Sequence, residues 1–275
     1  MRYNICIMEK TLLSYSQAEE LVRNNKYLIT DSNKYHARCI DGRYENAESL
    51  SPLAIAGGDA GQLAILLAAS QVYAFDIDLK KAATVLTEIV GGVEKLGLHT
   101  DSHADGSTVC SGCGHMKLIR TNPNAYNISP DQVEELQAVI ADYEKKGAKE
   151  VTLQGDHMEG AVLFVEGNYG VYPQYQMLTE DGTRPVQVFI HHKSLVNQRQ
   201  RLFAEKLIEA KAVTLTGALD AEYLYEVLSE QGDDHLLETA GKLAHGLPMY
   251  GVSFNENGGF KLNDMGPVVG FLEKA

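Results

Sequence analysis

The chain has 275 residues, 44% of them hydrophobic and 22% charged, which is ordinary globular usage and excludes a disordered, collagen-like or disulfide-scaffold protein. Its 37 acidic residues outnumber 24 basic ones, a net charge of -13. A field of that sign repels polyanions and argues against a nucleic-acid partner.

The length suits one large domain, and with no repeat or Pro/Ser-rich linker a single α/β domain over residues 1–275 is expected. Met1–Lys10 lacks the apolar core of a secretory signal, and the best apolar stretch, Leu63 to Val72, is too short for a membrane span. A cytoplasmic location with no membrane partner is the expectation. The four cysteines, Cys6, Cys39, Cys110 and Cys113, are too sparse for a disulfide framework and suit metal binding or thiol chemistry.

In chain order, Ser16 to Asn24 reads as a first helix, Asp31–Asn33 as a turn, and the residues leading to Cys39-Ile40 as a short strand. Gly61 to Phe75 is apolar nearly all round and predicts a buried helix. Leu79 to Leu96 predicts a second, weakened inside by Gly91-Gly92. Pro130 to about Lys146 carries the clearest helix signature. Ser129 and Gln132 make a capping box, Pro130 occupies the first helical position, and Val133, Leu136, Ile140 and Tyr143 recur on one face.

Strands are expected at Glu150–Leu153, Ala161–Glu166 and Val186–His191. Helices are expected at Ser194–Lys211, Ala221–Ser229 and His235–His245, and two apolar segments, Met249–Phe254 and Val268–Leu272, close the chain. The alternation implies an α/β fold with a mixed central sheet flanked by helices. His191, His192, Lys193, Arg199 and Arg201 form the one local basic cluster and read as the surface of a helix start.

Two places could carry chemistry. In Cys39-Ile40-Asp41-Gly42-Arg43, a thiol, a carboxylate and a guanidinium alternate, so an extended backbone sets them on one side. A metal would keep the thiol ionised, and Arg43 could hold Asp41 by a bidentate pair. From the pentapeptide alone, a buried cysteine beside an ordinary Asp–Arg surface pair is the preferred reading. Between His99 and His115 fall three of the nine histidines (His99, His103, His115) and two of the four cysteines (Cys110, Cys113). That composition suits zinc, either as a closed four-ligand knuckle or as three ligands with an open position.

Cys39-Ile40-Asp41-Gly42-Arg43 resembles the Cys-Val-Asp-Gly-Arg segment of zeta-class, cadmium-type carbonic anhydrases and the Cys-x-Asp-x-Arg pattern of the beta class. Leu53–Gly58 resembles the zeta family's Gly-Gly loop before an apolar helix. His99-Thr100-Asp101 resembles its His-Gly-Asp-His segment, Gly112-Cys113-Gly114 its Gly-Cys-Gly, and Gly155–Glu159 with Ala161–Glu166 a late His-Glu turn and strand. The motifs keep their order over roughly residues 35 to 210, and residues 215–275 form an extension without counterpart.

The resemblance implies a beta-carbonic-anhydrase-like fold, with Cys39, His99 and Cys113 as metal ligands and Asp41 and Arg43 as the catalytic dyad. Gly57 and Gly58 would lie at the substrate, Zn²⁺ or interchangeably Cd²⁺ would be the cofactor, and CO₂ and bicarbonate the small-molecule ligands. In such sites metal-bound hydroxide hydrates CO₂ reversibly, because an open metal position lowers the pKa of water from ~15.7 to ~7. The His99–Cys113 interval is longer than the family's, which keeps His103 as an alternative ligand and Cys110 as an extra thiol. His115 stands where the family tends to carry an aromatic residue, and His103, His115 and His157 are candidate proton relays. Two other functions use the same residues: hydrolysis of a CO₂ analogue (COS or CS₂), and metal binding without catalysis in a closed four-ligand site. A homodimer is compatible with a metal enzyme of this size.

Overall fold

A computed structural model describes residues 12–13, 34–39, 53–98, 113–150, 161–165, 175–178, 185–189, 193–215, 220–244, 248–254 and 260–267. The helix expected at Ser16–Asn24, the turn at Asp31–Asn33 and the segment Val268–Leu272 lie outside the described residues.

At the centre of the helical body is α1, Gly58–Tyr73, whose every residue from Gly58 to Ser70 is buried. Its sequence is apolar on all faces, and its alanines (Ala60, Ala64, Ala68, Ala69) let neighbours approach on several sides. The core around it takes Leu79, Leu86 and Val90 from α2 (Leu79–Val90), Met116 and Ile119 from α3 (Gly114–Thr121) and Leu136 and Ile140 from α4 (Pro130–Lys145). Phe203 and Leu207 come from α5 (Lys193–Glu209), and Leu224 and Leu228 from α6 (Ala221–Ala244). Among the described residues, no helix is long and apolar enough to cross a membrane.

Local chemistry sets the ends of these helices. Asp78 caps α2 by accepting the amide of Lys81. That helix stops at Gly91, φ 79°, short of the expected Leu96, because the amides of Gly91 and Gly92 both turn back to the carbonyl of Thr87. A 3-10 turn, Val93–Lys95, follows. The capping box read at Ser129 and Gln132 is present on α4 in both halves. The two helices expected around residues 221–245 are one, running through Gly232. A Cβ at Gly232 would lie 3.2 Å from the Gln200 amide nitrogen, so this glycine gives α5 room instead of ending α6.

Short strands flank α1. β2 (Ala37–Cys39) runs parallel to β3 (Leu53–Ile55) and pairs Cys39 with Ile55. β5 (Gly97–Leu98) runs parallel to β6 (Lys149–Glu150), and β4 (Asp76–Ile77) runs antiparallel to β10 (Val213–Thr214). A six-stranded mixed sheet has the order β1-β8-β9-β7-β11-β12. Its members are β1 (Leu12–Leu13), β7 (Ala161–Val165), β8 (Tyr175–Leu178), β9 (Pro185–Phe189), β11 (Pro248–Phe254) and β12 (Phe260–Pro267). The all-apolar β7 lies inside it between parallel neighbours β9 and β11, the position such a run favours. β8 and β12 carry no strand expectation from the sequence, and Ala161–Val165 and Pro185–Phe189 fall within a residue or two of the strands read there.

Candidate metal centre

β2 delivers Cys39 to its C-terminal end, and the chain places Cys113 at the N-cap of α3. Both are buried, and their Sγ atoms lie 3.8 Å apart although 74 residues separate them in sequence. A disulfide holds sulfurs at about 2.05 Å, so both cysteines are thiols. Two thiolates on one tetrahedral zinc, each at about 2.3 Å, stand roughly 3.8 Å from one another, which is the edge of that tetrahedron. The spacing of the two sulfurs therefore fits a shared ion without any movement.

Both sulfurs lie in the hydrophobic core, yet each has a partial positive charge beside it. The Gly57 amide donates to the Cys39 Sγ at 3.4 Å, and the N-terminal end of α3 presents its partial positive charge beside Cys113. Two anionic sulfurs this close repel strongly in a buried setting, so ionising both calls for a cation between them.

Gly57 opens α1 with φ 81°, followed by Gly58 at φ 62°. A Cβ on Gly57 would stand 2.9 Å from the Met116 Sδ and 3.1 Å from the Gly61 backbone. The pair thus has both a turn role and a close-approach role, and it brings the backbone against the thiols. Gly58 also bridges to Leu98, the last residue of β5. Gly97, just before, lies against β2, where a Cβ would stand 2.5 Å from the Ala37 carbonyl oxygen. Leu98 is the residue that precedes His99.

Of the expected site residues, the structure thus brings together Cys39, Cys113, Gly57 and Gly58. Asp41, Arg43, His99, His103, Cys110 and the Gly155–Glu159 turn with His157 lie outside the described residues, as do His191 and His192. Among the described residues, no group of three or more His, Cys, Asp or Glu side chains is arranged to hold a metal. His115 is buried, with its ring edge-on to Tyr126 at 5.3 Å between centroids, which suits a packing role.

Arg199 departs from its surface reading. It is 1% exposed and forms an ion pair with Asp59, which is 0% exposed. Asp59 follows directly on the Gly57-Gly58 pair, and its other oxygen accepts the Gly97 amide at 2.7 Å. One helical turn along α1, Gln62 donates to Gln200 at 3.1 Å, so adjacent residues of α5 hold successive turns of α1. An acidic residue after a glycine turn and a basic residue inside a helix carry no sequence signal that they meet across 140 positions. Arg201, by contrast, is half-exposed, pairs with Glu222 and stacks on the Tyr225 ring at 4.2 Å.

Comparison with protein-family models, with curated proteins and with solved structures finds no match. The likeness to carbonic anhydrases therefore rests on the motifs themselves.

Proposed function

We propose that the chain is a metal-dependent carbonic anhydrase, with Cys39, Cys113 and His99 as ligands of Zn²⁺ or Cd²⁺. The observation that carries this reading is the 3.8 Å separation of two buried thiols brought from distant parts of the chain. It is supported by the path of β5, which ends at Leu98 beside Gly58, one residue from the Gly57 amide that donates to the Cys39 sulfur. The proposed beta-class-like architecture draws on the same region, where the parallel pairs β2–β3 and β5–β6 meet at Ala37 and Gly97.

A bound dication supplies Lewis acidity, bringing the pKa of water into the neutral range. The protein's own residues do the rest. Asp41 orients the attacking oxygen by accepting its hydrogen bond, and Arg43 fixes the Asp41 carboxylate. The backbone at Gly57 and Gly58, free of side chains, leaves room for a linear triatomic substrate. Water and CO₂ give bicarbonate and one proton, which leaves to solvent.

The test is stopped-flow CO₂ hydration by the full chain loaded with Zn²⁺ or Cd²⁺, beside an Asp41→Ala variant. One ion per chain and a loss on the order of 10²-fold in the variant are expected. An inert loaded protein sinks the reading. Metal held by four protein ligands, Cys110 among them, would make it a binder, and turnover of COS or CS₂ alone would change the substrate.

A further inference from the structure

We propose that Cys39 and Cys113 are a redox modification site: hydrogen peroxide joins them in a reversible disulfide, and the joined pair no longer holds a metal ion. The inference rests on the proposed metal centre for the role of both thiols as ligands, and it gives the same two sulfurs a second, exclusive state.

The two sulfurs stand 3.8 Å apart, on residues 1% and 2% exposed. Their backbones are held independently. Cys39 pairs with Ile55 across β2 and β3, and the Cys113 carbonyl accepts the Lys117 amide at 2.9 Å in the first turn of α3. The fold itself therefore makes these thiols neighbours. A disulfide bond is about 2.05 Å long, so closing the gap asks each sulfur for roughly 0.9 Å, within reach of a rotation about Cα–Cβ.

Burial decides the product. Hydrogen peroxide is close to water in size, whereas a bulky disulfide or a second protein chain does not reach sulfurs this enclosed. One sulfur attacks a peroxide oxygen, the O–O bond breaks, and the departing oxygen leaves as water with the thiol proton, giving a sulfenic acid. The second sulfur attacks the first, the S–S bond forms as the S–O bond breaks, and the hydroxyl leaves as water with the second thiol proton. Two thiols lose two electrons and one peroxide gains them. The second step is intramolecular between atoms already near contact, where effective concentrations reach on the order of 10⁵ M or more, so it outruns further oxidation.

Metal and disulfide exclude each other. The thiolate is the form that binds a metal, and a disulfide sulfur carries no charge. A shared ion, in turn, keeps the sulfurs at the edge of its tetrahedron and engages the lone pairs that would attack peroxide. Oxidation thus switches the centre off, and a bound ion protects it.

The full wild-type chain, metal-free or loaded with Cd²⁺, is treated with hydrogen peroxide. Peptide mapping without reductant locates any linkage, thiol titration counts the loss, and thiolate-to-Cd²⁺ absorption measures binding. The metal-free chain should lose two of its four thiols, yield a peptide linked through Cys39 and Cys113, and bind Cd²⁺ more weakly by roughly tenfold or more. Dithiothreitol should reverse all three changes, and the loaded chain should react far more slowly. A Cys6→Ser/Cys110→Ser chain should still form the linkage. A Cys110–Cys113 linkage, sulfinic acid in place of any linkage, undiminished Cd²⁺ binding after oxidation, or no reaction at a dose that oxidises free cysteine overturns the inference. CO₂ hydration separates the two proposals. Redox-controlled Cd²⁺ binding in a chain that never hydrates CO₂ sinks the enzyme reading and keeps the switch. Undiminished hydration by the peroxide-treated chain does the opposite, and a wild-type chain that binds no Cd²⁺ sinks both.

Discussion

The amide of Gly57 donates to the sulfur of Cys39 at 3.4 Å, and it can do so because Gly57 adopts φ 81°. Replacing Gly57 with alanine sets three demands against one another. The left-handed backbone costs about 1–3 kcal/mol for a residue with a Cβ. The Met116 Sδ would have to retreat from 2.9 Å, and the Gly61 backbone at 3.1 Å belongs to a buried helix that cannot. Gly57→Ala should lower the denaturant midpoint and, if the chain folds, weaken metal binding. Adding Met116→Ala should recover only part of the stability, since the backbone angle and Gly61 remain. Full recovery in the double variant would show that the methionine was the whole obstacle.

Cys39→Ser and Cys113→Ser should each weaken Zn²⁺ binding by more than the roughly 10–100-fold that losing a hydrogen-bond partner of a ligand costs. A hard hydroxyl is a poor replacement for a soft thiolate on this ion. Cys6→Ser should leave binding unchanged. Competition titration of the full chain decides: equal losses at Cys39 and Cys113 fit a shared ion, whereas an effect at one alone breaks the pairing.

Local signals in this sequence translated well and long-range ones did not. The capping box of α4 is a contact between residues three apart, and its chemistry is written in Ser129, Pro130 and Gln132. The buried nature of α1 follows from its apolar run, because a helix with no polar face has nowhere else to go. The meeting of Cys39 with Cys113 was legible only by way of the family likeness, since nothing in either segment names its partner. Asp59 and Arg199 were missed for the same reason. Arg199 sits in a run of basic residues that looks like a solvated face, yet it is buried while the neighbouring Arg201 stays half-exposed. Gly91 and Gly232 show that one residue type reads two ways: the first ends a helix through a left-handed turn, and the second opens a groove for Gln200.

Ser129 does more than cap α4. Its side chain accepts the Gln132 amide, the Gln132 carbonyl accepts the Ser129 amide, and the Gln132 nitrogen donates to the Ser70 hydroxyl on α1 at 3.3 Å. Ser129→Ala should cost about 1 kcal/mol of folding stability, the usual effect of losing such a cap. Gln132→Ala should cost at least as much, since it removes the reciprocal bond and the tie to α1 together. Urea denaturation of the two variants measures both, and a Gln132→Ala protein as stable as wild type would remove the tie from consideration.

His36 makes the fold sensitive to mild acid. It lies at the start of β2, donating from Nε2 to the Val90 carbonyl at 3.2 Å. Burial pushes its pKa below the usual 6.5, because desolvation disfavours the imidazolium; the Val90 hydrogen bond and the charge of Asp59 oppose that shift, and the charges of Lys95 and Arg199 add to it. In the unfolded chain the imidazole titrates near ~6.5, so between its folded pKa and that value the unfolded state binds more protons. Stability from this group is then complete above about pH 6.5 and falls as acid is added through the window beneath it. His36→Gln keeps an amide donor for Val90 and removes the titration. Denaturation measured from pH 8 to pH 5 should show the wild-type chain losing more stability below pH 6.5 than the variant does. Parallel curves for the two proteins would mean that His36 protonates without consequence for the fold.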